Sequence, residues 1–136
     1  MAVGQASRAS CAAAIATIAI ETASAFQPVR EAFWLPESWR EANLRYYPFY
    51  GRGFIQLTWE YNYRTYGDRV GIDLVSDPDS ALDPGTAALV FAAYWQAHDL
   101  QSVADAHNWA EARRRVQGAD AGLDRLIAIS ESLLRS

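Results

Sequence analysis

The chain has few of the residues on which many catalytic and binding classes depend. It has one cysteine, Cys11, which excludes an internal disulfide and is expected to fill a buried position. Its two histidines, His98 and His107, have no cysteine or carboxylate at ligand spacing, so we expect no metal site and no cofactor. The sequence contains neither a Gly-x-Ser-x-Gly turn nor a phosphate-binding glycine loop, which leaves serine-triad and nucleotide chemistry unsupported.

Positive charge is also scarce. Twelve basic residues against sixteen acidic ones give a net charge of −4, so the chain lacks the basic surface typical of nucleic-acid-binding proteins. The apolar run at 11–20 is shorter than the ~20 residues that span a bilayer, so we expect no membrane insertion. Small residues after this run resemble a signal-peptide cleavage site. We interpret the run as a buried helix instead, because it leads directly to Glu21, a residue that is costly to place there without a use.

The overall composition is that of a folded globular protein, with 51% apolar and 21% charged residues. We assign residues 1–136 to one catalytic domain and expect it to belong to a longer, multidomain protein. Helical spacing predicts a mainly α fold with at most a short β-hairpin, and Trp95 on an apolar helix is expected to pack in the core. The predicted helices cover approximately 6–23, 36–43, 58–66, 86–98 and 108–115, and a last one begins near residue 121.

The most informative stretch, at 46–63, reads YYPFYGRGFIQLTWEYNY. Nine of the chain's seventeen aromatic residues lie between Tyr46 and Tyr66. A sugar presents flat apolar faces and a rim of hydroxyls, so its binding site needs flat apolar surfaces beside precisely placed polar groups. Such polar groups are interleaved here, namely Arg52, Gln56, Thr58 and Asn62. The alternative interpretation is an aromatic core around a glycine-rich turn.

Two glutamates in unlike surroundings supply a pair of carboxyl groups. Glu21 ends the apolar helix, where desolvation disfavours the ionised form, as a general acid requires. Glu31 follows ten residues later in the polar segment 27–31, where a carboxylate stays ionised more easily. Carboxyl groups with unlike proton affinities are the usual equipment for cleaving glycosidic bonds. Because the chain has sixteen acidic residues, a solvated pair with no catalytic role is the alternative.

The motif and the preceding helix that ends in Glu-Thr-Ala resemble glycoside hydrolase family 19. This family includes plant chitinases and many phage endolysins on an α-rich, lysozyme-like fold. The similarity runs in the same order from about Ala12 to Trp95, with a weaker echo at 114–125. The segment ETASAFQPVREAF lacks the longer loops of the plant enzymes and is more similar to the endolysin branch, especially domains from phages of mycobacteria. The resemblance implies a lysozyme-like α-helical domain with a catalytic cleft beside the first long helix.

The resemblance also implies a role for each matching position. Glu21 aligns with the general acid of the family, and Glu31 aligns with the base that activates water in the endolysin branch. Thr58 matches a hydroxyl residue that helps to hold the attacking water. Six further residues are expected to contribute to glycan binding. Gln56 and Asn62 match sugar-contacting amides, and Tyr50 and Arg52 belong to the turn that shapes the cleft. Trp59 is the tryptophan of the motif, and Arg125 matches a late arginine that pairs with the catalytic carboxylates.

Three departures from the family pattern leave alternatives open. Ile20 stands where the family usually has histidine, which makes the surroundings of the acid drier. Residues 23–25 and 117–119 replace the usual Gly-Gly and Asn-Gly-Gly sequences, which affects the register of the base and the late wall of the cleft. In plant chitinases the base lies further downstream, so Glu41 is a second candidate for the base and Glu37 a third.

Together these features predict inverting hydrolysis of β-1,4 bonds in the glycan strands of bacterial peptidoglycan. One alternative is a chitinase that acts on N-acetylglucosamine polymers. Another is a non-catalytic glycan-binding module of the same fold, which the missing histidine favours. As an endolysin, the protein is expected to be a monomer and to accumulate in the host bacterial cytoplasm until it is released to the cell wall.

Overall fold

A computed structural model describes residues 7–22, 24–117 and 122–135. Over these ranges the chain forms seven α-helices, one 3-10 helix and a two-stranded sheet, which confirms the predicted mainly α fold. The residues group into two compact units, Met1–Ala25 with Trp95–Ser136, and Phe26–Tyr94. The assignment of the whole chain to a single catalytic domain stays a prediction. None of the helices in the described ranges is both long enough and apolar enough to cross a membrane.

The first unit is built around α1 (Arg8–Glu21), the helix that the alanine- and isoleucine-rich run predicts. Ser7 caps its first turn, because its hydroxyl accepts a hydrogen bond from the Ser10 N–H at 3.0 Å. Most of the buried positions of α1 are alanines, so neighbouring helices can approach its backbone closely. It packs against three later helices, α5 (Leu100–Asp105), α6 (Trp109–Gln117) and α7 (Leu123–Leu134).

The sequence predicts that Trp95 and Cys11, two side chains of this unit, are buried. Trp95 lies in the core of the first unit, as predicted, and its indole N–H donates to Ser10 Oγ at 2.8 Å. Cys11 is exposed, so its predicted burial is wrong. The reason is that Cys11 and Ile15 are one helical turn apart on the same side of α1, and Ile15 is 44% exposed as well.

The second unit contains the sheet. β1 (Val29–Arg30) pairs antiparallel with β2 (Arg52–Gly53), with Val29 opposite Gly53 and Arg30 opposite Arg52. Between the strands lies α2 (Glu37–Asn43), which begins one residue later than the predicted range 36–43, with Pro36 as its N-cap residue. The pairing brings the residue after β1 beside the residue before β2, where the Glu31 N–H donates to the Gly51 carbonyl at 2.6 Å.

The aromatic motif leads directly into α3 (Glu60–Val70). The helix begins two residues later than the predicted start at Thr58, because Trp59 occupies the N-cap position, and no side chain caps the helix. The helix also continues beyond residue 66, its predicted end, so that Gly67 does not terminate it. It lies inside α3, where a Cβ at this position would come within 2.6 Å of the carbonyl oxygen of Ile72. The helix ends at Gly71, which has the left-handed conformation that glycine adopts without strain.

A 3-10 helix, Pro78–Leu82, connects this part to α4 (Pro84–Ala97). As the Asp-Pro sequence predicts, Asp83 caps α4, and its Oδ2 accepts from the Thr86 N–H at 3.0 Å. The core of the second unit is formed by side chains of α3, of α4 and of the turns around them. Its buried members include Ile55, Leu57, Tyr63, Tyr66, Leu74, Ala81 and Val90.

Candidate active site

Glu21 lies at the C-terminal end of α1, in the first unit. Its side chain is 5% exposed, which confirms the predicted dry surroundings, and its Oε1 accepts from Nη1 of Arg113 at 2.8 Å. Arg113 comes from α6, and its side chain is 3% exposed. Burial favours the protonated form of a carboxyl group, whereas an adjacent guanidinium favours the ionised form. In any reaction in which Glu21 gives up a proton, the guanidinium is placed to stabilise the carboxylate that remains.

The start of α7 packs closely against the Arg113 side of this ion pair. Gly122, the N-cap of α7, has a φ of 79°, and a Cβ there would lie 3.2 Å from Ile20 Cγ2 and 3.6 Å from Arg113 Nε. Glycine therefore serves two purposes, since it tolerates the left-handed backbone and permits the close approach. Ile20, at the position where the family usually has histidine, thus lies close to Gly122.

Arg125 does not pair with the acid, which corrects the prediction made for it. This residue is exposed on α7, and its Nη2 donates to Ser24 Oγ at 3.1 Å. Successive helical residues point about 100° apart. Because Leu126 is fully buried, the side chain before it turns toward solvent. Arg113 takes the predicted role at the carboxylate, and contact between Arg125 and a glycan stays a prediction.

Glu31 lies in the second unit, directly after β1, and both of its carboxylate oxygens accept hydrogen bonds. The Tyr46 hydroxyl donates to Oε2 at 2.6 Å, and the Gly51 N–H donates to Oε1 at 2.9 Å. Hydrogen bonds of this kind favour an ionised carboxylate, and the shorter distance is typical of a charge-assisted bond. Fixed at both oxygens, the Glu31 carboxylate is suited to direct a water molecule as a general base.

The bond between Tyr46 and Glu31 makes stability depend on pH in the alkaline range. Burial, together with the hydrogen bond to Glu31, raises the pKa of Tyr46 from 10.0 to about 12. A pKa that folding raises contributes stability that is complete below the unfolded value and is lost as the pH rises through the folded value. The contribution of Tyr46 should therefore be complete below about pH 10 and disappear by about pH 12.

We predict that Tyr46→Phe lowers the free energy of unfolding by about 1.5 kcal/mol at neutral pH, the lower end for a hydrogen bond to a charged group, since the pair is partly solvated. The difference from wild type should vanish between about pH 10 and pH 12. Urea unfolding at several pH values measures both. Tyr61→Phe is the matched control, because Tyr61 is 74% exposed, and it should have little effect at any pH. A constant difference across the alkaline range would contradict the assignment.

Gln56 supports the sheet beside Glu31. Its backbone has a φ of 57°, and its Nε2 donates to the carbonyl oxygens of Val29 at 2.9 Å and Gly53 at 3.0 Å. Both amide hydrogens are thus used within the protein, so Oε1 is the atom left for the predicted contact with sugar, which stays a prediction. A Cβ at Gly51 would lie 2.9 Å from Gln56 Oε1 and 3.3 Å from Glu31 Cβ, so the close approach requires glycine there.

The turn before α3 presents the remaining polar candidates. Thr58 Oγ1 donates to the Gln56 carbonyl at 2.8 Å, so its lone pairs can still accept from water. Asn62 Nδ2 donates to the Thr58 carbonyl at 2.9 Å. Trp59 is 45% exposed, and its ring lies 4.9 Å from that of Tyr46, the residue that holds the carboxylate. The roles of Thr58, Trp59 and Asn62 toward a glycan stay predictions.

Tyr50 and Arg52, which are predicted to belong to the turn that shapes the cleft, are only 1% and 4% exposed, and their part in glycan binding stays a prediction. The Arg52 guanidinium lies 3.9 Å from the centroid of the Tyr50 ring. It donates to Asp79 Oδ1 at 3.0 Å and to the Tyr63 hydroxyl at 2.8 Å. A buried guanidinium needs such partners. Both residues therefore maintain the shape of the turn from inside the unit.

The two alternative bases lie on α2. Glu37 accepts hydrogen bonds from Arg40 Nε at 2.9 Å and from the hydroxyls of Tyr47 at 3.0 Å and Tyr50 at 3.1 Å. Burial acts to raise the pKa of Glu37, but these hydrogen bonds outweigh it and hold the pKa below its usual range. Glu37 accepts from three donors and Glu31 from two, so Glu37 has less acceptor capacity left for water, and the choice of base stays a prediction. Glu41 is exposed on the same helix.

Sequence reasoning missed the residues that hold the two carboxyl groups. Arg113 could have been found from helical spacing, because it follows the buried Trp109 by four residues on α6. Tyr46 stood within the aromatic motif, but nothing in the sequence distinguished its hydroxyl from those of its neighbours. The N–H of Gly51 has no sequence signal at all. Over the described part of the chain, no group of three His, Cys, Asp or Glu side chains could hold a metal ion.

Buried and restrained carboxyl groups on an α-rich, lysozyme-like fold define a class, the glycoside hydrolases that work with paired acids. The comparison with known families makes this specific. The chain belongs to the chitinase class I family, glycoside hydrolase family 19, whose pattern matches residues 12–129. This confirms the family resemblance of the sequence. It does not distinguish the endolysin branch from the others.

Solved structures agree on the fold. Chitinase C from Streptomyces griseus superposes with a TM-score of 0.74 at 21% identity, over 94% of this chain and 59% of that one. A bacterial family 19 chitinase gives a TM-score of 0.68 at 23% identity, over 93% of this chain and 74% of that one. At these identities the likeness concerns the fold alone.

Curated relatives match over shorter stretches. Chitinase 11 from rice is 49% identical over 49 residues, which is 35% of this chain and 19% of the relative. An endochitinase from Arabidopsis thaliana is 32% identical over 81 residues, which is 60% of this chain and 28% of the relative. The chain thus corresponds to less than a third of the length of either plant protein.

Proposed function

We propose that the chain hydrolyses β-1,4 bonds of an amino-sugar polymer with inversion, using Glu21 as the acid and Glu31 as the base. The observation that carries this proposal is the contrast between the two carboxyl groups. Glu21 is almost dry and faces a buried guanidinium. Glu31 is held at both oxygens by neutral donors. Unlike environments of this kind divide a pair of carboxyl groups into an acid and a base.

In this mechanism, protonated Glu21 gives its proton to the leaving glycosidic oxygen, and Arg113 stabilises the resulting carboxylate. Glu31 takes a proton from the water that attacks the opposite face of the sugar, and Thr58 contributes an acceptor for that water. Inverting enzymes hold their carboxyl groups about 6.5–9.5 Å apart to leave room for the water. Trp59 offers an exposed ring on which a sugar face can stack.

For the substrate, we propose the glycan strands of bacterial peptidoglycan. The short segment from Glu21 to Glu31, which resembles the endolysin branch, supports this choice. Under this proposal the protein works as a monomer and stays in the host cytoplasm until it is released to the wall. Chitin is the second candidate, because the curated relatives and the solved neighbours carry the name chitinase.

A non-catalytic glycan-binding module is a third candidate, and one comparison favours it. An inactive chitinase-like protein from Hevea brasiliensis is 55% identical to this chain over 31 residues. Strong local identity therefore also occurs in a relative named as inactive, and it does not by itself imply turnover. The restrained Glu31 and the buried Glu21 are what support catalysis here.

Digestion of purified peptidoglycan and of colloidal chitin, side by side, tests the proposal. We expect the protein to release new reducing ends from peptidoglycan, with products whose masses correspond to cleavage between the amino sugars. Proton NMR during the first minutes should show the α-anomer at the new reducing end, as inversion of a β-bond requires. Release from chitin alone would move the function to the second candidate. Binding without any release would leave the non-catalytic module.

A further inference from the structure

Two aromatic side chains lie exposed in the loop that follows Glu31. Trp34 is 71% exposed and Phe33 is 46% exposed, although large aromatic side chains are usually well buried. Their rings meet edge to face, with centroids 5.2 Å apart and planes at 80°. Each ring therefore limits the orientations of the other, while much of both surfaces remains open to solvent.

The backbone of this loop is fixed from inside by Arg40. This α2 residue is only 5% exposed, and its Nη1 donates to three backbone carbonyls, those of Glu31 at 3.3 Å, Ala32 at 2.9 Å and Leu35 at 3.0 Å. Ala32 has a φ of 52°, a strained value for a residue with a Cβ. The loop is thus held in a defined conformation before any ligand binds, which reduces the entropy lost on binding.

The same guanidinium holds the carbonyl of Glu31 and the loop that carries the two rings. The two rings therefore follow the candidate base by two and three residues in a loop whose backbone is fixed together with that of Glu31. We propose that Phe33 and Trp34 form an additional stacking surface, here called the 33–34 surface, for a glycan strand that extends from Glu31. This inference rests on the proposed function, because it concerns the binding of the same polymer. Its ligand is a run of β-1,4-linked amino sugars whose flat faces lie against the rings.

A protein partner, including a second copy of this chain, is the competing occupant. Protein interfaces require contiguous apolar patches of several hundred Å². The loop offers two rings with charged neighbours on both sides in sequence, Arg30 and Glu31 before and Glu37 after. Isolated aromatic faces within a polar rim match sugar recognition better than a protein interface.

The test uses the Glu21→Gln background, so that ligands are bound and not consumed. A β-1,4 hexasaccharide of N-acetylglucosamine, its trisaccharide and glycan strands released from peptidoglycan are titrated by calorimetry. Trp34→Ala should weaken binding of the long ligands about tenfold and change binding of the trisaccharide less than about twofold. Trp34→Phe should restore most of the affinity, because it retains an aromatic face. Leu89→Ala, at a side chain that is 53% exposed on α4, should change nothing.

Two outcomes overturn the 33–34 surface while leaving the proposed function intact. In the first, the enzyme that retains Glu21 cleaves peptidoglycan or chitin, but Trp34→Ala in the Glu21→Gln background binds every long ligand with unchanged affinity. The other is a change of oligomeric state in Trp34→Ala on size-exclusion chromatography, which would assign the rings to a protein interface. If the wild-type enzyme cleaves neither polymer, the proposed function itself has failed.

Discussion

Glu21→Gln should lower kcat by about 10²–10⁴-fold, the range that a positioned general acid contributes. The amide keeps the size of the side chain and an oxygen that can accept from Arg113, but it has no proton of suitable acidity to donate. KM should remain within about a factor of two, because the lost interaction belongs to the transition state and not to the bound substrate. Initial rates on the polymer that the wild type cleaves, measured over a range of concentrations, separate the two parameters.

Glu131→Gln is the matched control for this substitution. Glu131 is an exposed glutamate of α7 in the same unit, and its replacement should leave both parameters at their wild-type values. Far-UV circular dichroism of both variants shows whether the fold is retained. A folded Glu21→Gln protein that clears cell walls at the wild-type rate would remove Glu21 from the mechanism, and the acid would then have to be sought elsewhere in the chain.

The helices could be predicted wherever local signals coincide. At α4, an Asp-Pro sequence precedes an apolar run, and Asp83 caps the first turn as expected. At α6, the Asn108 side chain accepts from the Glu111 N–H at 3.3 Å, again as the sequence suggests. Leu100–Asp105 was missed, because a helix of six residues carries less than two turns of periodicity. Each strand has two residues, too few to show any alternation.

The site was less predictable because long-range partners build it. The sequence identified both carboxyl groups from their surroundings and from the family resemblance. The prediction did not include Arg113, which pairs with Glu21 across 92 residues of chain. Three consecutive arginines occur on α6, and only their helical phase relative to Trp109 shows which one points inward. Backbone donors such as the Gly51 N–H leave no trace in the side-chain sequence.

The ion pair in the first unit leads to the second large prediction. Arg113→Met should lower the free energy of unfolding by about 3–5 kcal/mol, the usual cost of breaking a buried ion pair by removing one of its members. Methionine has a similar length, so the loss reports mainly the missing charge and hydrogen bonds. Urea unfolding at neutral pH measures it. Arg114→Met is the control on the same helix, because Arg114 is 48% exposed and pairs with Glu111 at the surface, where ion pairs contribute little.

The double variant Arg113→Met with Glu21→Gln separates the pair from other effects of the substitution. If the cost of Arg113→Met comes from a buried carboxylate without its guanidinium, then neutralising Glu21 should recover a large part of it, so the two single losses should not add. Additive losses would mean that Arg113 stabilises α6 by packing alone, and that the charge on Glu21 is balanced by another group.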